Sequence, residues 1–268
     1  MMRLALVTAL AFVLVASIVG IAMGGGNGET QIHVLKLSVD SKATGEKDLP
    51  LDVVIPPGGG DKPLVVFLHG RGQTPGSLLD AAFFSAYEAM GTRAPVVAMP
   101  YGDDHSYWHN RADGKWRTYL LKEVLPLVES ETSIDTSRLA IAGISMGGFG
   151  ALDIAEARPH KFCAVAGHSP ALWRSSGETA PGAFDDAADF HRNDVIARVS
   201  RLVGMRVWLD AGDADPFLAG DDAFVKALSD VGGTATVHHP PGDHSTTYWD
   251  AHWATYLAYY ARALRHCG

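Results

Sequence analysis

The segment Gly143-Ile144-Ser145-Met146-Gly147 sets a serine among small residues. Leu139-Ala140-Ile141-Ala142 before it reads as a strand, and Gly148-Phe149-Gly150-Ala151-Leu152 after it as the start of a helix. A serine at such a turn must take an unusual backbone conformation, and glycines on either side let strand and helix approach. The turn lifts the hydroxyl above the carboxyl edge of a sheet and directs the next N–H, that of Met146, toward an acyl oxygen. The chemistry open to it is attack on an acyl carbon, with Ser145 itself acylated.

A serine hydroxyl is a weak nucleophile until an imidazole, oriented by a carboxylate, takes its proton. At a strand–serine–helix turn of this kind the chain order is serine, acid, histidine. Asp210 falls inside the strand-like stretch Arg206-Val207-Trp208-Leu209-Asp210-Ala211 and is less well placed as the acid. The turn Gly212-Asp213-Ala214-Asp215 offers two candidates, Asp213 and Asp215, which the pattern alone does not separate. His238 and His239 end a late strand-like segment. His244 follows Pro240-Pro241-Gly242-Asp243 and precedes the closing helix, the position expected of a loop base. His168 precedes the acid and is the weaker base candidate, expected to shape the pocket. The second oxyanion donor is expected from His69-Gly70-Arg71, after an earlier strand, with the Arg71 N–H joining that of Met146.

These residues need a scaffold that brings distant strand ends together. Strand patterns occur at 32–39, 51–55, 64–68, 95–100, 139–144, 162–166, 206–211 and 234–238. Helix patterns occur at 78–90, 117–129, 147–155, 217–231 and 249–264, with Pro126 expected to kink or end the second. Leu64-Val65-Val66-Phe67-Leu68 is apolar throughout, as in a parallel strand covered on both faces. The alternation of strand and helix predicts an α/β-hydrolase type of architecture: a mostly parallel central sheet with helices on both faces. Residues 32–268 read as one catalytic domain, with 168–200 a cap excursion over the sheet.

The 268 residues, 47% of them hydrophobic, suffice for one core. The charge is −8, from 22 Lys+Arg against 30 Asp+Glu, with no basic block, which argues against a nucleic-acid partner. Cys163 and Cys267 make neither a disulfide scaffold nor a cysteine-rich metal site. Cys163, in the apolar run Phe162-Cys163-Ala164-Val165-Ala166, reads as a core residue rather than a partner of Cys267. Asp103, Asp104, His105 and His109 form a polar group but are not read as a metal site. The acyl chemistry calls for no cofactor. Trp108 and Trp173, in loop-like segments, are candidates for stacking on a sugar or an aromatic acyl group, and His69 is a further candidate contact.

Arg3 and the amino terminus precede an uncharged run at 4–23, followed by a glycine-rich linker at 24–31. Residues 1–23 read as a signal peptide or an uncleaved signal anchor. The domain is expected to be exported, either secreted or held at the cell envelope by membrane association through residues 4–23.

Several segments together resemble the esterase D and antigen 85 group of α/β-hydrolases. They are Val66-Phe67-Leu68-His69-Gly70, Met99-Pro100-Tyr101-Gly102-Asp103, the stretch 116–126, Arg138 through Gly148, Gly212-Asp213-Ala214-Asp215-Pro216-Phe217 and Gly242-Asp243-His244-Ser245. The resemblance spans roughly residues 48–262 and is weakest over 168–200. It implies Asp215 as the acid, His244 as the base and Arg71 as an oxyanion donor. It also implies hydrolysis of a small-molecule or carbohydrate-linked ester through an acyl-enzyme, or transfer of the acyl group to a sugar or other alcohol.

Overall fold

The computed structural model describes residues 17–20 and 31–267. Among these, nine strands form one sheet: β1 (Ser17–Gly20), β2 (His33–Val39), β3 (Leu49–Ile55), β4 (Lys62–Leu68), β5 (Val96–Pro100), β6 (Ile134–Ile144), β7 (Ala164–His168), β8 (Arg206–Asp210) and β9 (Ala235–His238). The helices are α1 (Pro75–Leu78), α2 (Ala81–Met90), α3 (Trp116–Tyr119), α4 (Leu125–Glu131), α5 (Met146–Ala157), α6 (Ala187–Asn193), α7 (Leu218–Asp230) and α8 (Thr246–Leu264).

The strand order is β1-β2-β3-β5-β4-β6-β7-β8-β9. The first three strands and the β3–β5 pair are antiparallel, and the six strands from β5 through β9 run parallel. The chain leaves β4 toward β5 on one side and returns to β6 on the other. Such a reversal opens a crevice beyond the carboxyl ends of the central strands. Here the carboxyl ends of β4 and β6 carry His69-Gly70-Arg71 and Ser145.

Alternation along the central strands builds two cores. Leu64, Val66 and Leu68 of β4 face one layer, with Ile141 of β6 and Phe149 and Leu152 of α5. Val65 and Phe67 face the other, with Phe83 of α2 and Trp253 and Tyr256 of α8. A strand buried on both faces has no polar alternation, which is why the 64–68 run reads as uniformly apolar.

Pro126 does not end the helix, which continues through α4 to Glu131. Residues 120–124 form a π turn between α3 and α4, and the Leu125 N–H reaches back five residues to the Leu120 carbonyl. Proline supplies no N–H and crowds the preceding turn, and a widened turn accommodates both effects.

The expectation for Cys163 is corrected. It is bonded to Cys267 with Cα atoms 5.8 Å apart, joining the start of β7 to the chain just after α8. Cys163 is only partly buried, at the rim of the α8-side core. A link across 104 residues contributes about 4–5 kcal/mol on the chain-entropy account.

The 168–200 excursion carries α6 and two short 3-10 turns. Polar contacts fasten it down: His109 Nε2 lies 3.0 Å from Asp189, Arg117 donates to Asn193 at 2.6 Å, and Arg198 donates to Asp153 of α5 at 2.6 Å.

The apolar segment 4–23 lies outside the described residues except for β1, whose backbone pairs with β2. Among the described residues no helix is long and apolar enough to cross a membrane.

Candidate active site

Ser145 follows β6 and precedes α5 with φ 55° and ψ −115°. An L-residue held there is strained by an order of 1–3 kcal/mol, so neighbours must hold it. The Ser145 N–H donates to the His168 carbonyl at 2.9 Å, and the Ser145 carbonyl accepts from Phe149 and Ala171, each at 3.0 Å. The glycines permit the close approach. A Cβ on Gly147 would stand 2.0 Å from the Leu68 carbonyl oxygen, which is strand backbone and cannot yield. Gly147→Ala is therefore expected to lower stability by at least about 1–3 kcal/mol and to slow labelling of the serine by a fluorophosphonate. An unchanged denaturation midpoint would contradict this packing.

His244 Nε2 stands 2.8 Å from Ser145 Oγ, and Nδ1 stands 2.9 Å from Asp215 Oδ2. With the imidazole proton on Nδ1, Ser145 donates to Nε2 and Nδ1–H donates to Asp215. The residues come from three strand ends: β6 for the serine, β8 for the acid and β9 for the histidine. Asp215 is 5% exposed, and its Oδ1 accepts from the Phe217 N–H at 2.9 Å. Burial pushes its carboxyl upward, but hydrogen bonds from His244 and the Phe217 N–H, with smaller help from Ser169, bring it below the ordinary carboxylate range. It is a carboxylate at neutral pH. Asp213 is exposed and accepts from the Gly242 N–H at 3.1 Å. It braces the loop that carries His244 and does not touch the ring. The two loops interlock: a Cβ on Gly212 would stand 2.2 Å from the Gly242 carbonyl oxygen. Phe217 and Trp249 flank the imidazole, with ring centroids at 5.1 and 5.2 Å.

Met146 is the first residue of α5, where helix geometry leaves N–H groups without intrahelical acceptors. The His69-Gly70-Arg71 loop lies across the cleft, and a Cβ on Gly70 would stand 3.3 Å from Ser145 Cβ. Gly70 of that loop and Met146 of α5 thus border the serine from two sides.

His69 and Trp108 sit differently from their expected place at a substrate-facing rim. Both are 0% exposed. The His69 ring accepts from the Gly102 N–H at 2.9 Å and bonds the Gly70 carbonyl at 2.8 Å. Burial holds its pKa down at about 4, so it is neutral at physiological pH. Trp108 donates to the His69 carbonyl at 3.2 Å and packs between Gly102 and Gly150, where any Cβ would strike its ring. Both side chains pack against the 69–71 loop. Trp173, 8% exposed, lies in an aromatic cluster with Tyr107, Phe184 and Phe217. The 103–109 polar group does not converge: His105 bonds Arg71, whereas His109 turns inward to Asp189. His168 is also buried, between Asp210 at 2.5 Å and the Tyr260 hydroxyl. Only its backbone carbonyl meets Ser145.

Ser169 is a site residue that the sequence patterns did not single out. It is wholly buried, with φ 45°, and its hydroxyl accepts from the Trp249 indole at 3.1 Å while leaning on the Asp215 carboxylate. Its signal was its place at the carboxyl end of β7, beside the nucleophile strand. Removing a hydrogen bond to a charged group costs about 1.5–3 kcal/mol, so Ser169→Ala is expected to lower kcat roughly 10–100-fold. Ser169→Gly, which relieves the backbone strain, should lose as much. If the glycine variant keeps full activity, strain rather than the hydroxyl is what matters.

Asp221 of α7 is 0% exposed, and neither carboxyl oxygen has a hydrogen-bond partner among the described residues. Burial, then the charges of Asp215 and Asp210, raise its pKa well above the ordinary value. The folded state therefore binds a proton that the unfolded chain releases above the ordinary carboxylate pKa. Stability falls as pH rises from there toward the raised value, by up to about 1.4 kcal/mol per unit. Asp221→Asn is expected to remove that slope and to raise Tm at neutral pH. Parallel Tm–pH curves for the two proteins would refute it.

A groove of about 760 Å³ bounded in part by Arg206, Thr234, Tyr259 and His266 lies at the amino ends of β8 and β9. It contains none of Ser145, Asp215 and His244.

The relay joins a serine on a strained turn to an imidazole and a buried carboxylate. It is the arrangement of a serine hydrolase working through an acyl-enzyme. The chain is similar over 94% of its length to diacylglycerol acyltransferase/mycolyltransferase Ag85A of Mycobacterium gordonae, at 27% identity over 88% of that protein. It is similar to Esterase Rv1288 of Mycobacterium tuberculosis at 26% identity, over 68% of this chain and 48% of that one. Among solved structures, a ferulic acid esterase superposes with a TM-score of 0.76 at 21% identity, covering 87% of this chain and 99% of the other, a likeness of fold. The family model described as "Putative esterase" matches residues 41–260, and the chain belongs to that family of α/β-hydrolases.

Proposed function

We propose that the protein is an exported carboxylic-ester hydrolase acting on small-molecule or carbohydrate-linked esters. The observation that carries this is the continuous relay Asp215–His244–Ser145, with steps of 2.9 and 2.8 Å. His244 takes the Ser145 proton as Oγ attacks the acyl carbon. Asp215 orients the ring and stabilises the imidazolium. The N–H groups of Arg71 and Met146 receive the oxyanion, a pair in which each donor is worth about 2.7–4 kcal/mol in a comparable enzyme. His244 then protonates the leaving alcohol, and water attacks the acyl-enzyme with His244 again as base. Trp173 is the remaining aromatic candidate for contact with the acyl or alcohol portion.

The Cys163–Cys267 bond and the apolar segment 4–23 support export, because disulfides persist in oxidising compartments. Residues 4–23 would either be removed or hold the domain at the membrane.

Transfer to an alcohol is the second reading, favoured by the similarity to a mycolyltransferase along nearly the whole chain. Ester, thioester and amide panels with and without acceptor alcohols separate the two. Ester hydrolysis that outruns transfer is expected. Transfer exceeding hydrolysis at modest acceptor concentration would reassign the enzyme, and turnover of amides alone would overturn the ester reading.

A further inference from the structure

Two arginines border the loop after β5, and they are used in opposite ways. Arg111 is 8% exposed. It donates to the Gly182 carbonyl at 2.6 Å and to the His105 carbonyl, and it pairs with Asp185 at 3.3 Å. Its charge is spent on holding the 105–111 loop to the excursion. Arg71 is exposed and, among the described residues, forms no ion pair. Its guanidinium meets His105 Nε2 at 2.6 Å and the Tyr107 hydroxyl. Neither partner carries a negative charge, and two partners do not saturate a fork of five N–H donors.

The backbone at this point is strained. Tyr107 and Trp108 are consecutive non-glycine residues with φ 46° and 58°. Left-handed residues of this kind cost of order 1 kcal/mol or more each and persist where surroundings over-determine them. The turn drives Trp108 inward and leaves Tyr107 against Arg71. An aromatic path then runs from the base to the cation. His244 meets Phe217 at 5.1 Å, Phe217 meets Trp173 at 5.7 Å, and Trp173 meets Tyr107 at 5.4 Å. Asp103 and Asp104, on the same loop, act on Tyr101 and His69 and form no ion pair with Arg71.

We propose that the Arg71 side chain, backed by Tyr107 and His105, is a subsite for an anionic oxyacid group of the substrate, a carboxylate or a phosphate. The preferred esters carry that charge away from the scissile bond. This rests on the ester-hydrolase reading above. A planar guanidinium binds such groups through paired hydrogen bonds. In a chain of net charge −8, a cation that forms no ion pair among the described residues, one position after the Gly70 that lies against Ser145, also guides an anion to the cleft, a pull that salt screens.

The test measures kcat/KM of the wild-type chain and of Arg71→Gln, Arg71→Lys and Arg71→Glu on matched substrates. One set of aryl esters bears a carboxylate on the acyl part, a second a carboxylate on the alcohol, and a third a phosphate on the alcohol, each beside a neutral isostere. The wild type is expected to favour at least one anionic ester about 10-fold over its isostere, less so in 0.5 M salt. That ratio should fall about 10-fold in Arg71→Gln, fall less in Arg71→Lys, and drop below one in Arg71→Glu. Ratios, rather than rates, are the readout because the same residue's N–H borders the reacting carbonyl. Wild-type ratios near or below one in all three sets, or ratios unmoved by Arg71→Gln, would overturn the proposal. Failure of the wild type on every ester, charged and neutral, despite fluorophosphonate labelling of Ser145, would instead overturn the ester-hydrolase reading.

Discussion

Ser145→Ala is expected to reduce kcat on esters by about 10⁶-fold, the loss seen when the nucleophile of a comparable triad is removed. The effect is this large because no neighbouring group can take over. The Oγ is the atom at 2.8 Å from His244 Nε2, and both ring nitrogens of His168 are committed to Asp210 and Tyr260. The variant should fold, since the backbone bonds to His168, Phe149 and Ala171 hold the turn without the hydroxyl. Adding His244→Ala to Ser145→Ala should cost little more, because the two act as one unit. Mass spectrometry after mixing with an activated ester gives the direct check. An acyl adduct surviving in Ser145→Ala would remove Ser145 from its role. Residual rate above that of water would report what substrate binding and the proposed Arg71 and Met146 donors supply by themselves.

Asp215→Asn should lower kcat by about 10⁴-fold, the cost of presenting the base in the wrong tautomer. The substitution changes little in shape and can keep the acceptor for the Phe217 N–H at 2.9 Å. What it loses is a charge that orients Nδ1–H and stabilises the imidazolium. Asp215 stays ionised below the usual carboxylate range, because the His244 and backbone hydrogen bonds outweigh its burial. The stability it contributes through that lowered pKa is present above the ordinary carboxylate value and is lost as pH falls through the folded one. Asp213→Asn is the internal control. Its carboxylate braces the Gly242 N–H, so a loss of a few fold is expected. A larger loss from Asp213→Asn than from Asp215→Asn would reverse the assignment of the acid.

The sequence by itself determined what depends on neighbours along the chain. The apolar run at 64–68 and the small residues around Ser145 encode a buried parallel strand and a tight strand-to-helix turn. Each is a matter of local periodicity and backbone freedom. Chain order then supplied the candidates after Ser145, and His244 stood out because it follows the last strand in a proline-glycine turn.

The tertiary structure decided what depends on residues far apart. Asp213 and Asp215 share one turn, and only the packing of that turn against the 240–244 loop directs one carboxylate to the imidazole. His69 and Trp108 look like rim residues from their loop settings, yet Gly150, distant in sequence, joins the nearby Gly102 in leaving the space that encloses Trp108. Ser169 becomes part of the site because Trp249, eighty positions later, reaches its hydroxyl. Cys163 meets Cys267 because α8 brings the chain end back to β7. Arg71 is read in sequence as a backbone donor. Only the fold shows its side chain against His105 and Tyr107, with no ion pair among the described residues. Periodicity records which face of an element is apolar, whereas burial, pairing and charge compensation are set by whatever the rest of the chain lays over that face.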